Sequence, residues 1–307
     1  MGKQARVAVV GSFNYDLVAK TPRIPVKGET ILGGPFFMGP GGKGANQAVA
    51  AARLGAAVDM VVKLGQDLFG DQAVENLVRE GVGSDFVIRT DESHTGTALI
   101  MVDAEGDNII VVAAGANNLL RPEDLEEARS AITGADALLV QLEVPMETVE
   151  RAMQIAHDAG VRVLLNPAPG RELDPNWFRW VDVLTPNETE TQLITGMPVR
   201  DAESAKAAAL KLLGLGAGAV VVTMGATGAL VVTSGGAELV PGRKVKVVDT
   251  TGAGDAFSGA LAVALAEGAD LAAAVAFANA AAALQVTKLG TAPAMPYRAD
   301  VDAFVQA

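Results

Sequence analysis

The sequence contains no cysteine and only two histidines, His94 and His157. That excludes disulfides, thiolate nucleophiles and Cys-bound metal, and it leaves too few imidazoles for a zinc cluster or a His-dependent hydrolase triad. Aromatic residues are sparse at 4%, and charged residues make up 20% while half the chain is hydrophobic. A sizeable aliphatic core is therefore expected and wholesale disorder is not. Basic clusters are missing as well. A formal net charge of -12 argues against attraction to nucleic acid or an anionic membrane, both of which need grouped Lys and Arg. The longest apolar stretch, 271–286, is shorter than a membrane span and holds Asn279 and Gln285, so a buried helix is the expectation there. The first apolar run, 7–10, ends at Gly11 and is too short for a signal-peptide core, so a cytoplasmic protein is expected.

What is present is a series of short Val-rich runs at 5–10, 58–62, 137–140, 161–165, 181–184 and 219–223, of the kind that suits a sheet covered on both faces. Helical stretches accompany them at 45–54, 72–80, 122–132, 146–159, 202–213, 255–267 and 271–284. The alternation predicts an α/β fold with a mostly parallel central sheet flanked by helices on both faces. Two stretches break the rhythm, around 31–38 and 95–112, where strand formers alternate with turn residues such as Glu105-Gly106-Asp107. They are expected to form a small separate β-sheet, a lid across the mouth of the site, inserted at about 12–40 and 93–113. No repeat, low-complexity linker or long charge run marks a cut, so one domain over 1–307 with an appended lid is expected.

The most informative segment, Asp249-Thr250-Thr251-Gly252-Ala253-Gly254-Asp255, runs directly into a helical stretch. Small residues at a helix start let backbone N–H groups face outward and the helix dipole adds positive potential, so this turn can hold phosphate oxygens. A carboxylate there would be repelled unless it accepts a proton from an attacking hydroxyl, which makes Asp255 the candidate base of a phosphoryl transfer. That Asp255 merely caps the helix stays open. A second glycine-rich segment satisfies G-x-G-x-x-G through Gly39, Gly41 and Gly44, but it does not follow the first buried strand as a dinucleotide fingerprint should. Lys43 is followed by Gly44, so no G-x-x-x-x-G-K-[ST] phosphate loop exists. What remains is a loop with close backbone access and the donors Lys43 and Asn46, suited to a polyhydroxylated ligand, or a tight turn with a solvated Lys.

Asn14 and Asp16 lie just past the first strand, Gln141 and Glu143 past the run ending at Val140, and Asn166 past the run ending at Leu165. Open α/β sheets bind ligands at strand carboxyl ends, so these point to one rim, although a lone Asp after a strand is commonly a turn former. Asn187 and Glu190, spaced i, i+3 at a helix start, suit a hydrated Mg²⁺. For that segment by itself an N-cap with an acidic first turn is the preferred reading. Thr223-Met224-Gly225-Ala226-Thr227-Gly228 joins two strand-like runs, where glycines let a nucleotide lie flat or simply make the turn.

Taken in order, these segments resemble the ribokinase-like carbohydrate kinases, also called the phosphofructokinase B family. The resemblance spans nearly the whole chain and rests on Gly11-Ser12-Phe13-Asn14-Tyr15-Asp16, Gly41-Gly42-Lys43-Gly44-Ala45-Asn46-Gln47-Ala48 with Gly55 and Gly65 beyond, Asn166-Pro167-Ala168-Pro169, Thr185-Pro186-Asn187-Glu188-Thr189-Glu190, and Asp249 to Asp255. It implies ATP-dependent phosphorylation of the terminal primary hydroxyl of a sugar, D-ribose ahead of fructose, deoxyribose, a keto-deoxy sugar acid or a nucleoside. By that resemblance Asn14, Asp16, Gly42, Lys43, Asn46 and Glu143 hold the sugar, Asp255 is the base, and Gly252, Ala253 and Gly254 form the anion hole. Asn187 and Glu190 place Mg²⁺ through water, while Asn187, Thr223, Gly225, Thr227, Gly228, Gly254 and Asn279 line the adenine nucleotide. K⁺ is implied as an activator near Asp249, Thr251, Gln285, Lys288, Gly290 and Ala294, although Ala294 has no side-chain oxygen where the family often has Ser, and Lys288 stands where Arg is usual. A homodimer through the lid sheets is implied too. The rival classes are a sugar-sensing protein without catalysis, which has no use for an acid aimed into an anion hole, and a nicotinamide dehydrogenase, for which the glycine pattern is misplaced.

Overall fold

The computed structural model describes residues 4–306. In chain order the elements are β1 (Arg6–Val10), β2 (Asn14–Lys20), β3 (Phe36–Gly41), α1 (Lys43–Arg53), β4 (Ala57–Gly65), α2 (Leu68–Arg79), β5 (Val82–Gly83), β6 (Val87–Thr90), β7 (Thr97–Val102) and β8 (Asn108–Ala113). Then follow α3 (Asp124–Glu127), α4 (Arg129–Thr133), β9 (Ala137–Val140), α5 (Met146–Asp158), β10 (Arg162–Leu165), β11 (Val183–Leu184), α6 (Glu188–Thr195) and α7 (Ala202–Gly214). The last third holds β12 (Ala219–Thr223), β13 (Gly228–Thr233), β14 (Gly236–Pro241), α8 (Ala253–Ala266), α9 (Leu271–Gln285) and α10 (Arg298–Gln306).

Ten strands form the central sheet in the order β14-β13-β12-β11-β10-β9-β1-β4-β5, with β6 also on β4. Every pairing from β12 to β5 is parallel, and only the β12-β13-β14 edge is antiparallel. Along β1 the period of two sends Val7 and Val9 into one apolar layer with α1, α8 and α9, and Ala8 and Val10 into the other with α5 and α7. The sheet is thus covered on both faces, as the Val-rich runs predict.

The second sheet has the order β3-β2-β7-β8. Two antiparallel pairs, β2 with β3 and β7 with β8, meet along a parallel seam between β2 and β7. Asn14 and Asp16 belong to β2 and not to a turn after β1, within the 12–40 stretch expected to supply this second sheet. Gly42 alone separates β3 from α1, with φ at 88°, a left-handed value that glycine adopts without strain. A Cβ there would also lie 2.6 Å from the backbone nitrogen of Asn14. The single helix expected over 122–132 is instead two short ones, α3 and α4, broken at Ala128. No described helix is long and apolar enough to cross a membrane.

Candidate active site

The carboxyl ends of β9, β10, β11 and β12 and the N-termini of α1, α6 and α8 converge on one cleft. Lys43, Asn166, Thr185, Asn187, Glu190, Thr223, Gly252, Gly254, Asp255 and Ser258 line it. Asp255 is the third residue of α8, only 6% exposed. The helix has no side-chain cap, which removes the capping role for Asp255. Its carboxylate accepts instead from Asn46 Nδ2 at 2.9 Å and Gln47 Nε2 at 3.0 Å, both on α1. Gln47 is fully buried and is itself held, its Oε1 accepting from Gln141 Nε2 at 2.6 Å and its amide shared with Asn166 Oδ1 at 3.0 Å. α1 and α8 come this close because Gly259 faces α1, where a Cβ would lie 2.7 Å from Ala50 Cβ and 2.9 Å from the Gln47 carbonyl oxygen. Asn46 Oδ1 is buried without a partner, an acceptor left available to a ligand hydroxyl.

The electrostatics follow from crowding four carboxylates, Asp16, Glu143, Glu190 and Asp255, and the Lys43 ammonium into a small space. Burial pushes the Asp16 carboxyl up to about 7, with Glu143 and Asp255 adding to it. Burial likewise raises Asp255, against the pull of Lys43, Gln47 and Asn46. Glu190 is raised by burial, opposed by the Asn187 N–H and Lys43. For Lys43 burial acts downward, but Asp255, Glu143 and Glu190 outweigh it and hold the ammonium above its usual range. Glu143 is fixed by Ser12 Oγ and accepts from the Lys43 backbone N–H at 2.9 Å, at the start of α1. Asn14 is oriented by Asn117, whose Nδ2 donates to Asn14 Oδ1 at 2.9 Å and to the Phe13 carbonyl at 2.8 Å.

Of the three amides expected at the anion hole, Gly252 and Gly254 line the cleft, whereas the Ala253 N–H turns back to the Thr250 carbonyl at 3.2 Å. Asn187 and Glu190 form a reciprocal capping box on α6: Asn187 Oδ1 accepts from the Glu190 N–H at 2.8 Å and Glu190 Oε2 from the Asn187 N–H at 2.9 Å. The same two residues therefore cap α6 and line the cleft. Gly225 and Thr227 sit in a one-turn helix and Gly228 opens β13, a tight hairpin beside Thr223. Asn279 Nδ2 donates to the carbonyls of Val240 at 3.1 Å and Pro241 at 3.3 Å, at the end of β14.

The residues matched to a K⁺ site do gather. Asp249 accepts from the N–H of Thr251 at 2.9 Å and of Gly290 at 3.0 Å, and these two bonds hold its carboxyl below the usual range despite burial. Gln285 Nε2 donates to the carbonyls of Thr251 at 2.6 Å and Gly290 at 3.1 Å. Ala294 is buried in the following turn, and the Lys288 N–H donates to the Gln285 carbonyl at 3.1 Å. The sequence reading placed Asn166 on the ligand rim, quoted Gln47 and Ser12 within motifs without giving them roles, and missed Asn117 altogether. Asn117 lies in a short 3₁₀ segment outside every motif, so no local signal marks it.

The sequence pattern of the pfkB family carbohydrate kinases matches residues 4–298. The chain belongs to that family. Among its relatives, mouse ribokinase is 43% identical over 302 residues, covering 97% of this chain and 94% of that protein. A Salmonella typhi deoxyribokinase is 42% identical over 291 residues, covering 94% and 95%. The structure of Arabidopsis thaliana ribokinase complexed with ribose and ATP superposes with a TM-score of 0.94 at 34% identity, covering 99% of each chain. In this pfkB carbohydrate kinase, then, the buried carboxylate and the two glycines lining the cleft stand in a fold whose members phosphorylate carbohydrates.

Proposed function

We propose that the protein transfers the γ-phosphate of ATP to the terminal primary hydroxyl of D-ribose, giving D-ribose 5-phosphate and ADP. The observation that carries this is Asp255, buried at the head of α8 and held by two side-chain amides of another helix rather than by its own. It takes the hydroxyl proton as the new O–P bond forms and the bond to ADP breaks, in line and without a phosphoenzyme. Gly252 and Gly254 N–H groups, the helix dipole and Lys43 meet the charge that develops on the transferring group. Asp16 accepts from two neighbouring sugar hydroxyls, with Asn14, Gly42, Asn46 and Glu143 completing the pocket. That pairing favours ribose over 2-deoxyribose, which lacks one of the two, while the deoxyribokinase relative keeps the second sugar a real rival. Thr223 and the 225–228 hairpin border the nucleotide.

The residues present fit Mg²⁺ brought in with ATP. Glu190 has one carboxylate oxygen outside its capping box, and no cluster of three acidic or His ligands exists among the described residues, as suits a cation that meets the protein through water and phosphate. The ion would neutralise phosphate charge. They do not fit K⁺: the Thr251 and Gly290 carbonyls already receive the Gln285 amide, and Ala294 offers no side-chain oxygen. No step here uses that ion. The exposed apolar residues of the lid, Phe36, Phe37, Met38, Leu99 and Ile109 to Val112, support a homodimer through the lid sheets.

The test is ADP release across ribose, 2-deoxyribose, fructose and nucleosides, with Asp255→Asn beside the wild type. Ribose should lead, and the variant should keep sugar and ATP binding while losing roughly 100-fold to 10,000-fold in turnover. Turnover within a few-fold of wild type refutes the role of Asp255.

A further inference from the structure

We propose that Gln285 is a positioning residue whose side-chain amide braces the 249–254 turn, making phosphoryl transfer by this protein independent of a monovalent cation. The segment before α8 and the loop after α9 are cross-linked twice. Asp249 receives the backbone N–H groups of Thr251 and Gly290, and Gln285 gives its two N–H bonds to the carbonyls of the same two residues. Both polar groups of each residue are thereby satisfied. Two carbonyls aimed at one point repel each other unless a donor lies between them, and here the neutral side-chain amide of Gln285, a buried residue at the end of α9, is that donor.

The orientation of the amide is fixed by the same contacts. Gln285 Oε1 is buried with no hydrogen-bond partner. Turning the amide over would bring Oε1 against two carbonyl oxygens and leave both N–H bonds without acceptors, a worse arrangement on both counts. The loop is tied from its other side by Arg53 of α1, which donates to the carbonyls of Pro293 at 3.2 Å and Met295 at 2.7 Å and is itself paired with Glu80. The turn that presents Gly252 and Gly254 to the cleft is thus braced by groups of the chain itself. The proposal rests on the phosphate-binding role given to that turn above.

The experiment compares the wild type, Gln285→Ala and Gln285→Glu in tetramethylammonium chloride and in equal KCl, reading ribose kinase turnover and the Tm of the ligand-free protein. Wild-type turnover should differ by less than about twofold between the salts and its Tm by less than about 1 °C. Gln285→Glu sets a carboxylate against the two carbonyls, so turnover in tetramethylammonium should fall about tenfold or more. KCl should restore most of that loss and raise the variant's Tm by about 2 °C or more. A wild type activated about tenfold by K⁺ overturns the proposal. So do variants that share the wild-type response to both salts. Should neither variant fold, the wild-type comparison alone decides. A protein that phosphorylates no sugar at all sinks the kinase reading, while the Tm comparison still judges the brace.

Discussion

Asp16 carries the least settled charge in the cleft, because its carboxyl titrates near neutrality, at about 7. The folded pKa lies above the unfolded value, so the protein takes up a proton on folding between roughly pH 4 and 7. Stability from this residue is present at acid pH and is lost as pH rises through 7. A sugar that donates two hydroxyls to Asp16 needs the ionised form. The ribose KM is therefore expected to rise as pH falls from 8 to 6 while the ATP KM stays level. Asp16→Ala should raise the ribose KM on the order of 10- to 100-fold and remove its pH step, since hydrogen bonds to a charged group are among the stronger ones. Equal shifts in both KM values would remove Asp16 from the sugar pocket. At this scale the sequence marks which side chains matter but not how they meet. Whether Asp255 caps its helix or faces the cleft is decided by Asn46 and Gln47, which lie 209 and 208 positions away.

Among the elements, the pair α1 and α8 positions the proposed base, since one carries the two amides and the other Asp255. Their separation is fixed by small residues: Gly259 on α8 faces Ala50 and the Gln47 carbonyl on α1. Gly259→Ala is expected to cost about 1–3 kcal/mol of stability, as overpacking does. It should also lower turnover by about tenfold, because the amides move off the carboxylate; denaturant titration and steady-state kinetics would read both. Unchanged turnover would show that the helices give way without disturbing Asp255. The parallel core was legible because strands buried on both faces are written as continuous Val-rich runs, as in β9 and β12. The bounds of β2 within the 12–40 stretch were not, since its residues are at most half buried beyond Tyr15 and no alternation marks them. β5, with two residues, is defined by its pairing with β4 and by nothing in its own sequence. The break at Ala128 left no punctuation either, as neither Gly nor Pro stands there.

The whole molecule presents one unusual surface, the lid. All six residues of β8 are exposed although five of them are apolar, and it is an edge strand, an arrangement a lone chain would be expected to cover. Ile109 and Val111 point to one face, Ile110 and Val112 to the other. Replacing one of these pairs with Lys is expected to split the proposed homodimer, and replacing the other to weaken sugar binding while leaving that assembly intact. Light scattering and the ribose KM separate the two. A wild type that runs as a monomer at micromolar concentration removes the dimer. The joint between lid and core is also short. With Gly42 as the sole residue between β3 and α1, the cover has no slack of its own. Any outward shift of that sheet is expected to pass through this one residue to the first turn of the helix that bears Lys43 and Asn46, coupling the opening of the mouth to the disarming of the interior.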